Sequence, residues 1–354
     1  MSSRLDGPSV RRLLVAIAVS GGALAWFLSN VEWGPLAGTL RGVHVGWVAA
    51  AAGLLLFEFV LRALRWRVLL RPLGTTARVR DLFAAQVIGA AANTLLPLRA
   101  GEVAKPLVAA RRTEQPIVAV VATAVMERVY DLLGLLSVLL VMVLVLPDQP
   151  GASTEEAELV SNLKLYGGLF GATAACCMAI FFALATRKQA ARSVFEKIVG
   201  VAPAPVQRPF LHLFDGFVAG LGNTRDLRGL LQAGALSVVL WLNGAVAIQL
   251  LFFAFDMGLP FGAACFTAVA IALTVALPQA PGYLGVFHVA MEKTMLLWGQ
   301  DMAVAQGFAI VFWAVSFLPV TLVGVVATWR EGLDLGSFRE EADALRAATD
   351  RTEG

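Results

Sequence analysis

Long apolar runs separated by short polar stretches dominate the chain, at 13–29, 45–61, 116–146, 164–185, 235–256 and 302–329. Crossing an apolar layer of about 30 Å takes about 20 helical residues. Each of these six runs therefore predicts a full membrane-spanning helix, the first two being short but flanked by apolar or aromatic residues. Two further apolar stretches are broken. Residues 81–97 end in Asn93-Thr-Leu-Leu-Pro97, and 261–298 is interrupted by Leu277-Pro-Gln-Ala-Pro-Gly-Tyr-Leu-Gly285. Proline removes a helix donor and glycine loosens the backbone, so both sites predict chain reversals or unwound points.

The placement of basic residues decides which side each loop takes. Segment 62–80 carries Arg62, Arg65, Arg67, Arg71, Arg78 and Arg80, and 186–231 carries Arg187, Lys188, Arg192, Lys197, Arg208, Arg225 and Arg228. The tail adds Arg330, Arg339, Arg346 and Arg351, whereas 147–163 holds Asp148, Glu155, Glu156 and Glu158 without Lys or Arg. A complete crossing by 81–97 would put the acidic loop inside and the basic segment outside. A hairpin over about 81–112 that dips in from the cytoplasm and returns restores every later loop to its expected side. The same count requires 260–298 to dip in from the opposite face. The reading is an all-α polytopic membrane protein with six full spans and two oppositely oriented re-entrant hairpins. It is inverted-repeat-like, with both termini in the cytoplasm and all but a handful of the 28 Lys and Arg residues inside. Residues 1–330 form the membrane domain and 331–354 a cytoplasmic tail. Within 186–231, Phe210, Leu213, Phe214, Phe217, Val218 and Leu221 repeat at helical spacing and predict an amphipathic helix on the cytoplasmic surface.

Composition agrees. The 354 residues are 58% hydrophobic and 15% charged, with a mean hydropathy of +0.75. A soluble domain is roughly half apolar and a quarter charged, which excludes a water-soluble enzyme and a disordered chain. A net charge of +3 gives a nucleic-acid partner no support. Cys176, Cys177 and Cys265 lie in apolar runs, a spacing that fits neither a disulfide framework nor a zinc site. His44, His212 and His288 make no metal cluster, and no metal or cofactor is expected. The run after Arg11 and Arg12 is longer than a signal core and lacks a small-residue cleavage site, so it reads as the first span of the inner (cell) membrane protein.

Three polar clusters carry the candidate chemistry. The first is Asn93, Arg99, Glu102 and Lys105 at the first reversal. Polar groups there are costly unless they meet water, each other or a polar ligand. An arginine fork can hold a phosphate in two places, and lysine adds a point charge. The second is Glu127-Arg128-x-x-Asp131 in the run 116–146, with Arg128 and Asp131 spaced for an intrahelical pair. The third is Pro281-Gly282-Tyr283-x-Gly285, where glycines permit tight turns and Tyr283 offers a hydroxyl, followed by His288, Glu292 and Lys293. Plain alternatives stand beside each: a snorkelling Arg99 with an ordinary Glu102–Lys105 pair, an interfacial salt bridge, and a packed His288. Glu58, with Arg62 at i+4, reads as an intrahelical pair near the cytoplasmic end.

Phosphate loops, nucleophile elbows, His-Glu-x-x-His helices and dinucleotide fingerprints do not occur. The stretches Asn93-Thr-Leu-Leu-Pro97-Leu-Arg99-Ala-Gly101-Glu102, Val125-Met-Glu127-Arg128-Val-Tyr-Asp131 and Leu277-Pro-Gln-Ala-Pro281-Gly282-Tyr-Leu-Gly285-Val do carry a resemblance. Together, and in this order, they resemble the lysylphosphatidylglycerol synthase transmembrane-region family, over about residues 10–330. The resemblance implies a flippase-like membrane domain that moves a lipid, often aminoacylated phosphatidylglycerol, between leaflets. Two-domain members carry a soluble aminoacyl-transferring domain after the membrane part, and a stand-alone member without it is expected here. Relatives are linked with polyprenyl-linked sugars and hopanoid pathways. The expected partners are membrane lipids, and a separate lipid-modifying enzyme and an oligomer are both compatible with this reading.

The expected function is transbilayer transport of an anionic or modified lipid. Arg99, Lys105 and Arg128 would attract the head group, and the Pro281–Gly285 turn would gate the cavity. The alternative is an integral-membrane enzyme, or an accessory subunit, in lipid-linked glycan or lipid biosynthesis, with Glu102 or Glu127 as base.

Overall fold

The computed structural model describes residues 7–74, 76–96, 99–145, 227–276 and 280–331, with the single residues 168, 172 and 193. Side chains are described from residue 18. The expected span 164–185, the acidic loop, the amphipathic helix near Phe210 and the tail lie outside the described residues, apart from those isolated positions. The protein is an all-helical membrane protein, and among the described residues there is no strand. Three described helices are apolar and long enough to cross a membrane: Val45–Leu73, Arg228–Ala254 and Met302–Arg330.

Among the described residues ten α-helices follow in chain order: α1 Gly7–Ser29, α2 Trp33–Gly42, α3 Val45–Leu70, α4 Val79–Leu95, α5 Gly101–Thr113 and α6 Ile117–Val145. After the undescribed segment come α7 Leu227–Ala254, α8 Phe261–Ala276, α9 Val286–Leu297 and α10 Met302–Arg330. The breaks fall where the sequence places them. Leu96 takes an extended conformation (φ −106°, ψ 148°). Steric conflict with the ring of a following proline, here Pro97, favours that conformation and ends α4. The short helix α2 is not anticipated by the hydropathy pattern, and α7 begins eight residues before the run expected from 235.

The helices form two units of the same plan, α3–α6 and α7–α10. Their lengths run 26, 17, 13 and 29 residues in the first and 28, 16, 12 and 29 in the second. At 1.5 Å per residue the outer helices reach about 39–44 Å and the inner ones only about 18–26 Å, less than an apolar layer of about 30 Å. The inner helices turn back on each other. Lys105 of α5 lies beside Gly89 of α4, and Gly101 lies beside Asn93. These pairings converge on a turn between 95 and 101. In the second unit Phe266, early in α8, meets Trp298 just past α9, with ring centroids 6.1 Å apart.

The principal contacts among these eight helices exchange with the units. The pair α4–α10 has its counterpart in α8–α6, and α3–α10 in α7–α6, while α3 and α7 pack directly on each other. That central pair is antiparallel. Arg71 bonds Gln232 (2.7 Å), Arg65 bonds Ser237 (3.0 Å), Asn243 donates to the Leu54 carbonyl (2.9 Å) and the His44 amide to that of Ala254 (2.9 Å). Arg71, Arg112, Gln232 and Glu331 gather at one end of the bundle, His44 and Asp256 at the other. The main apolar core joins α7–α10 to Phe27, Leu36 and the second half of α6, and a smaller one joins α3, α4 and α5.

Candidate functional site

Where the two inner pairs meet, the helices line a half-open cavity of about 610 Å3. α3 contributes Glu58 and Arg62, α4 contributes Gln86, Asn93 and Thr94, and the first turn and α5 contribute Arg99, Glu102 and Lys105. Arg128 enters from α6 and Trp241 from α7. The opposite wall is Tyr283, Phe312, Ser316 and Phe317 with the end of α8 at Val275 and Ala276.

Close approach of α4 and α5 depends on glycine. A Cβ on Gly101 would collide with the Gly89 carbonyl and stand 2.6 Å from Asn93 Oδ1; a Cβ on Gly89 would stand 2.7 Å from Lys105 Cβ. Arg99 sits in the left-handed region (φ 55°) at the turn. There its guanidinium Nη2 donates to the carbonyl of Val275. Tyr283, also left-handed (φ 57°), stacks on Phe317 with centroids 4.7 Å apart and an interplanar angle of 18°. Non-glycine residues seldom adopt this conformation, and it persists where surrounding packing holds it.

A network of ion pairs joins the charged lining residues to a layer behind them. Arg128 Nη2 lies 2.6 Å from both oxygens of Glu102 and its Nη1 3.6 Å from Asp131. Asp131 is also 2.8 Å from Arg65 and 3.9 Å from Arg62, and Arg62 pairs with Glu58 at 2.6 Å. Glu127, only 2% exposed, receives Gln86 Nε2 at 3.0 Å, pairs with Lys105 and lies 3.6 Å from Arg65. Lys105 also stands over the Trp66 ring, 4.7 Å from its centroid. The buried charges of this network, Arg65 and Glu127, each have a close opposite partner, whereas the Arg128–Glu102 pair is about half exposed.

Of the expected site residues, Asn93, Arg99, Glu102, Lys105, Arg128 and Tyr283 line this one cavity. Glu127 and Asp131 stand one layer back and hold the lining cations in place. Pro281, Gly282 and Gly285 do not line it. Gly282 (φ 79°) offers its carbonyl to Trp313 Nε1 at 2.7 Å. A Cβ on Gly285 (φ 83°) would collide with the backbone of α1 at Ser20 and stand 2.6 Å from the Leu24 nitrogen. These glycines shape the second turn and seat it on α1. His288 is buried among Phe27, Phe287 and Trp313, with ring centroids 5.1, 6.0 and 5.6 Å away.

Three residues acquire a larger part than the sequence reading assigned them. The Glu58–Arg62 pair forms as expected but lines the cavity, and Arg65, counted only as a topology signal, is fully buried at the centre of the network. A signal was available, because Glu58, Arg62 and Arg65 share one face of α3 by helical spacing. The lining cations suit a phosphate or carboxylate ligand, and among the described residues no three His, Cys, Asp or Glu side chains come together as a metal site would require.

Comparison with known proteins places these features. The family model described as "Lysylphosphatidylglycerol synthase TM region" matches residues 13–324. A UPF0104 membrane protein of Methanothermobacter thermautotrophicus is 24% identical over 312 residues, covering 84% of this chain and 88% of that protein. Glycosyltransferase AglD of Haloferax volcanii is 26% identical over 328 residues, covering 86% of this chain and 52% of that protein. No solved structure matches.

Proposed function

The chain belongs to the lysylphosphatidylglycerol synthase TM region family, and from that premise we propose that it moves an anionic or modified lipid between leaflets through the cavity at the hairpin tips. The observation that carries the reading is the composition of that cavity. Four cations (Arg62, Arg99, Lys105 and Arg128) face two carboxylates (Glu58 and Glu102), and an aromatic wall at Tyr283 and Phe317 closes the other side. A head group bearing phosphate finds forked donors among them, while acyl chains stay in lipid.

On this reading α4–α5 and α8–α9 are re-entrant hairpins entering from opposite faces, and the complete chain has six spans. The end bearing Arg71, Arg112 and Arg228 is cytoplasmic in the cell membrane, with both termini on that side. Short, Gly/Pro-interrupted helices in matching positions of two units, meeting at mid-depth, are how membrane transporters build a polar site. Asn93, Arg99, Glu102, Lys105, Arg128 and Tyr283 contact the head group; Glu127 and Asp131 position the cations. Pro281, Gly282 and Gly285 shape the second tip.

The test is reconstitution of the full chain into vesicles of phosphatidylethanolamine with fluorescent phosphatidylglycerol, following loss of outer-leaflet dye to a membrane-impermeant quencher. Movement should be several-fold faster with the protein than without it and should fall in Arg99→Ala and Arg128→Ala. Equal rates in all samples would overturn the reading.

A second reading has one specific support. The chain is similar over most of its length to a protein named as a glycosyltransferase. The cargo, or the product of a partner enzyme, would then be a lipid-linked sugar. Retention of such a lipid through mild purification, seen by mass spectrometry, would favour it over a phospholipid.

A further inference from the structure

A second buried acidic group lies outside the cavity and its network. Glu292, on α9, is 0% exposed. Its Oε2 receives Gln306 Nε2 at 3.3 Å, and its Oε1 receives no hydrogen bond. Lys293 Nζ lies 3.3 Å from that Oε1 without hydrogen-bond alignment. Gln306, also fully buried, gives its Nε2 chiefly to the Asn30 carbonyl at 2.9 Å and leaves Oε1 without a donor.

Glu127, similarly buried, shows how many partners a carboxylate can gather in this fold. It has Gln86 at 3.0 Å, Lys105 in contact and Arg65 at 3.6 Å. Glu292 has one long bond from a neutral amide and one misaligned lysine. A buried ionised carboxylate is held by several donors or close cations, and a neutral acid needs far less. Protonated, Glu292 becomes an O–H donor next to the Gln306 amide, whose Oε1 receives no hydrogen bond.

The surroundings supply a route and an output. Lys293 is 50% exposed and lies over the Trp26 ring, 4.6 Å from its centroid, so it links the buried acid to the protein surface. One turn back on the same face of α9 is His288, whose Nδ1 has no hydrogen-bond partner. Its ring packs on Trp313, which holds the Gly282 carbonyl at the hairpin tip. Lys293 and His288 are the titratable groups on α9 near Glu292. The described side chains of α1 and those of α8 contribute no charged group, and α10 has none before Arg330.

We propose that Glu292 is a proton-binding site coupled to the second hairpin tip. A proton from bulk water, arriving on the face where Lys293 is exposed, neutralises the carboxylate. That discharges its contact with Lys293 and gives Gln306 a donor, and release to water reverses both changes. The coupling to lipid movement rests on the transport reading; the proton binding does not.

Infrared difference spectra of the full chain in phosphatidylethanolamine–phosphatidylglycerol vesicles, recorded between acidic and neutral pH, read the proton directly. The carboxylic C=O band that grows on acidification in the wild type should lose one component in Glu292→Gln. An unchanged band in that variant, or no such band in the wild type, overturns the proposal. Lys293→Met keeps the acid and removes the nearby cation, so that component should persist to higher pH; this variant also serves if Glu292→Gln fails to fold. Dye-lipid movement with and without an imposed pH gradient completes the test. The gradient should change the wild-type rate several-fold and leave the Glu292→Gln rate unchanged. A component lost in Glu292→Gln with no lipid movement in either protein keeps the proton site and overturns the transport reading. Wild-type movement indifferent to the gradient overturns the coupling.

Discussion

Arg99, at the turn between α4 and α5, donates from Nη2 to the backbone carbonyl of Val275 near the end of α8. The two inner helix pairs therefore meet at their tips, and the bond is made by a side chain from one to the backbone of the other. Each tip carries a non-glycine residue in the left-handed region, Arg99 at φ 55° and Tyr283 at φ 57°, and both line the cavity. Strain of this kind is retained where surrounding structure over-determines it, which here means the junction of the two units.

Arg65 should be the residue whose loss most weakens the fold. It is fully buried, 2.8 Å from Asp131, 3.6 Å from Glu127 and 3.0 Å from Ser237. Arg65→Ala removes the nearest cation from Asp131 and one of the two cations beside Glu127, and breaking a buried pair in this way costs about 3–5 kcal/mol. Arg67→Ala, two residues on and exposed, should stay within about 0.5 kcal/mol. Thermal unfolding of both variants in detergent makes the comparison, and equal transitions would contradict the network.

The glycines divide into two groups with different outcomes. Gly101→Ala and Gly285→Ala put a methyl against backbone, on Gly89 and Ser20 respectively, and at Gly285 the positive φ adds strain. Each should cost about 1–3 kcal/mol as overpacking. Gly53, on a helix surface with nothing within 4 Å of a Cβ, should accept alanine with a slight gain in helix stability. Melting temperatures of the three variants separate the groups.

Tyr283 offers a ring and a hydroxyl, and two substitutions tell them apart. Tyr283→Phe keeps the stack on Phe317. Tyr283→Ala loses it, at about 0.5–1.5 kcal/mol beyond the buried area. If the aromatic wall shapes the cavity, lipid movement should persist in Tyr283→Phe and fall in Tyr283→Ala. The reverse order would give the role to the hydroxyl.

Orientation is read by labelling. In a background with its cysteines replaced, Asp256→Cys should react with an impermeant thiol reagent added to intact cells, and Arg80→Cys should not. Both positions are well exposed, with side chains 76% and 74% accessible, so reactivity reports sidedness. Labelling of position 80 from outside would invert the assignment drawn from basic residues.

Much of this architecture is legible in the chain because its causes are local. Hydropathy over one helix length marks α3, α6 and α10, and Pro97 and the run from 277 to 285 interrupt helices through steric effects that act over a few residues. The run 116–146 becomes a helix over 117–145, and the broken stretch 261–298 becomes helices over 261–276 and 286–297. The polar clusters at 93–105 and 127–131 are visible for the same reason: charge within an apolar run is costly and needs a partner.

What only the tertiary structure decides is which partner and which direction. Arg65 meets Ser237, 172 positions away, because α3 and α7 pack antiparallel. Glu58 and Arg62 become cavity wall because α3 is rotated so that this face looks inward. Of the motif ending at Gly285, Tyr283 faces the cavity, while Gly282 and Gly285 serve the turn and the seat on α1. Helix rotation and register are set by side-chain interlocking between distant segments, and the energy of that fit depends on both surfaces together. A single stretch of sequence carries only one of those surfaces. The cavity exists because the two hairpins meet, and their meeting is a property of the assembled units.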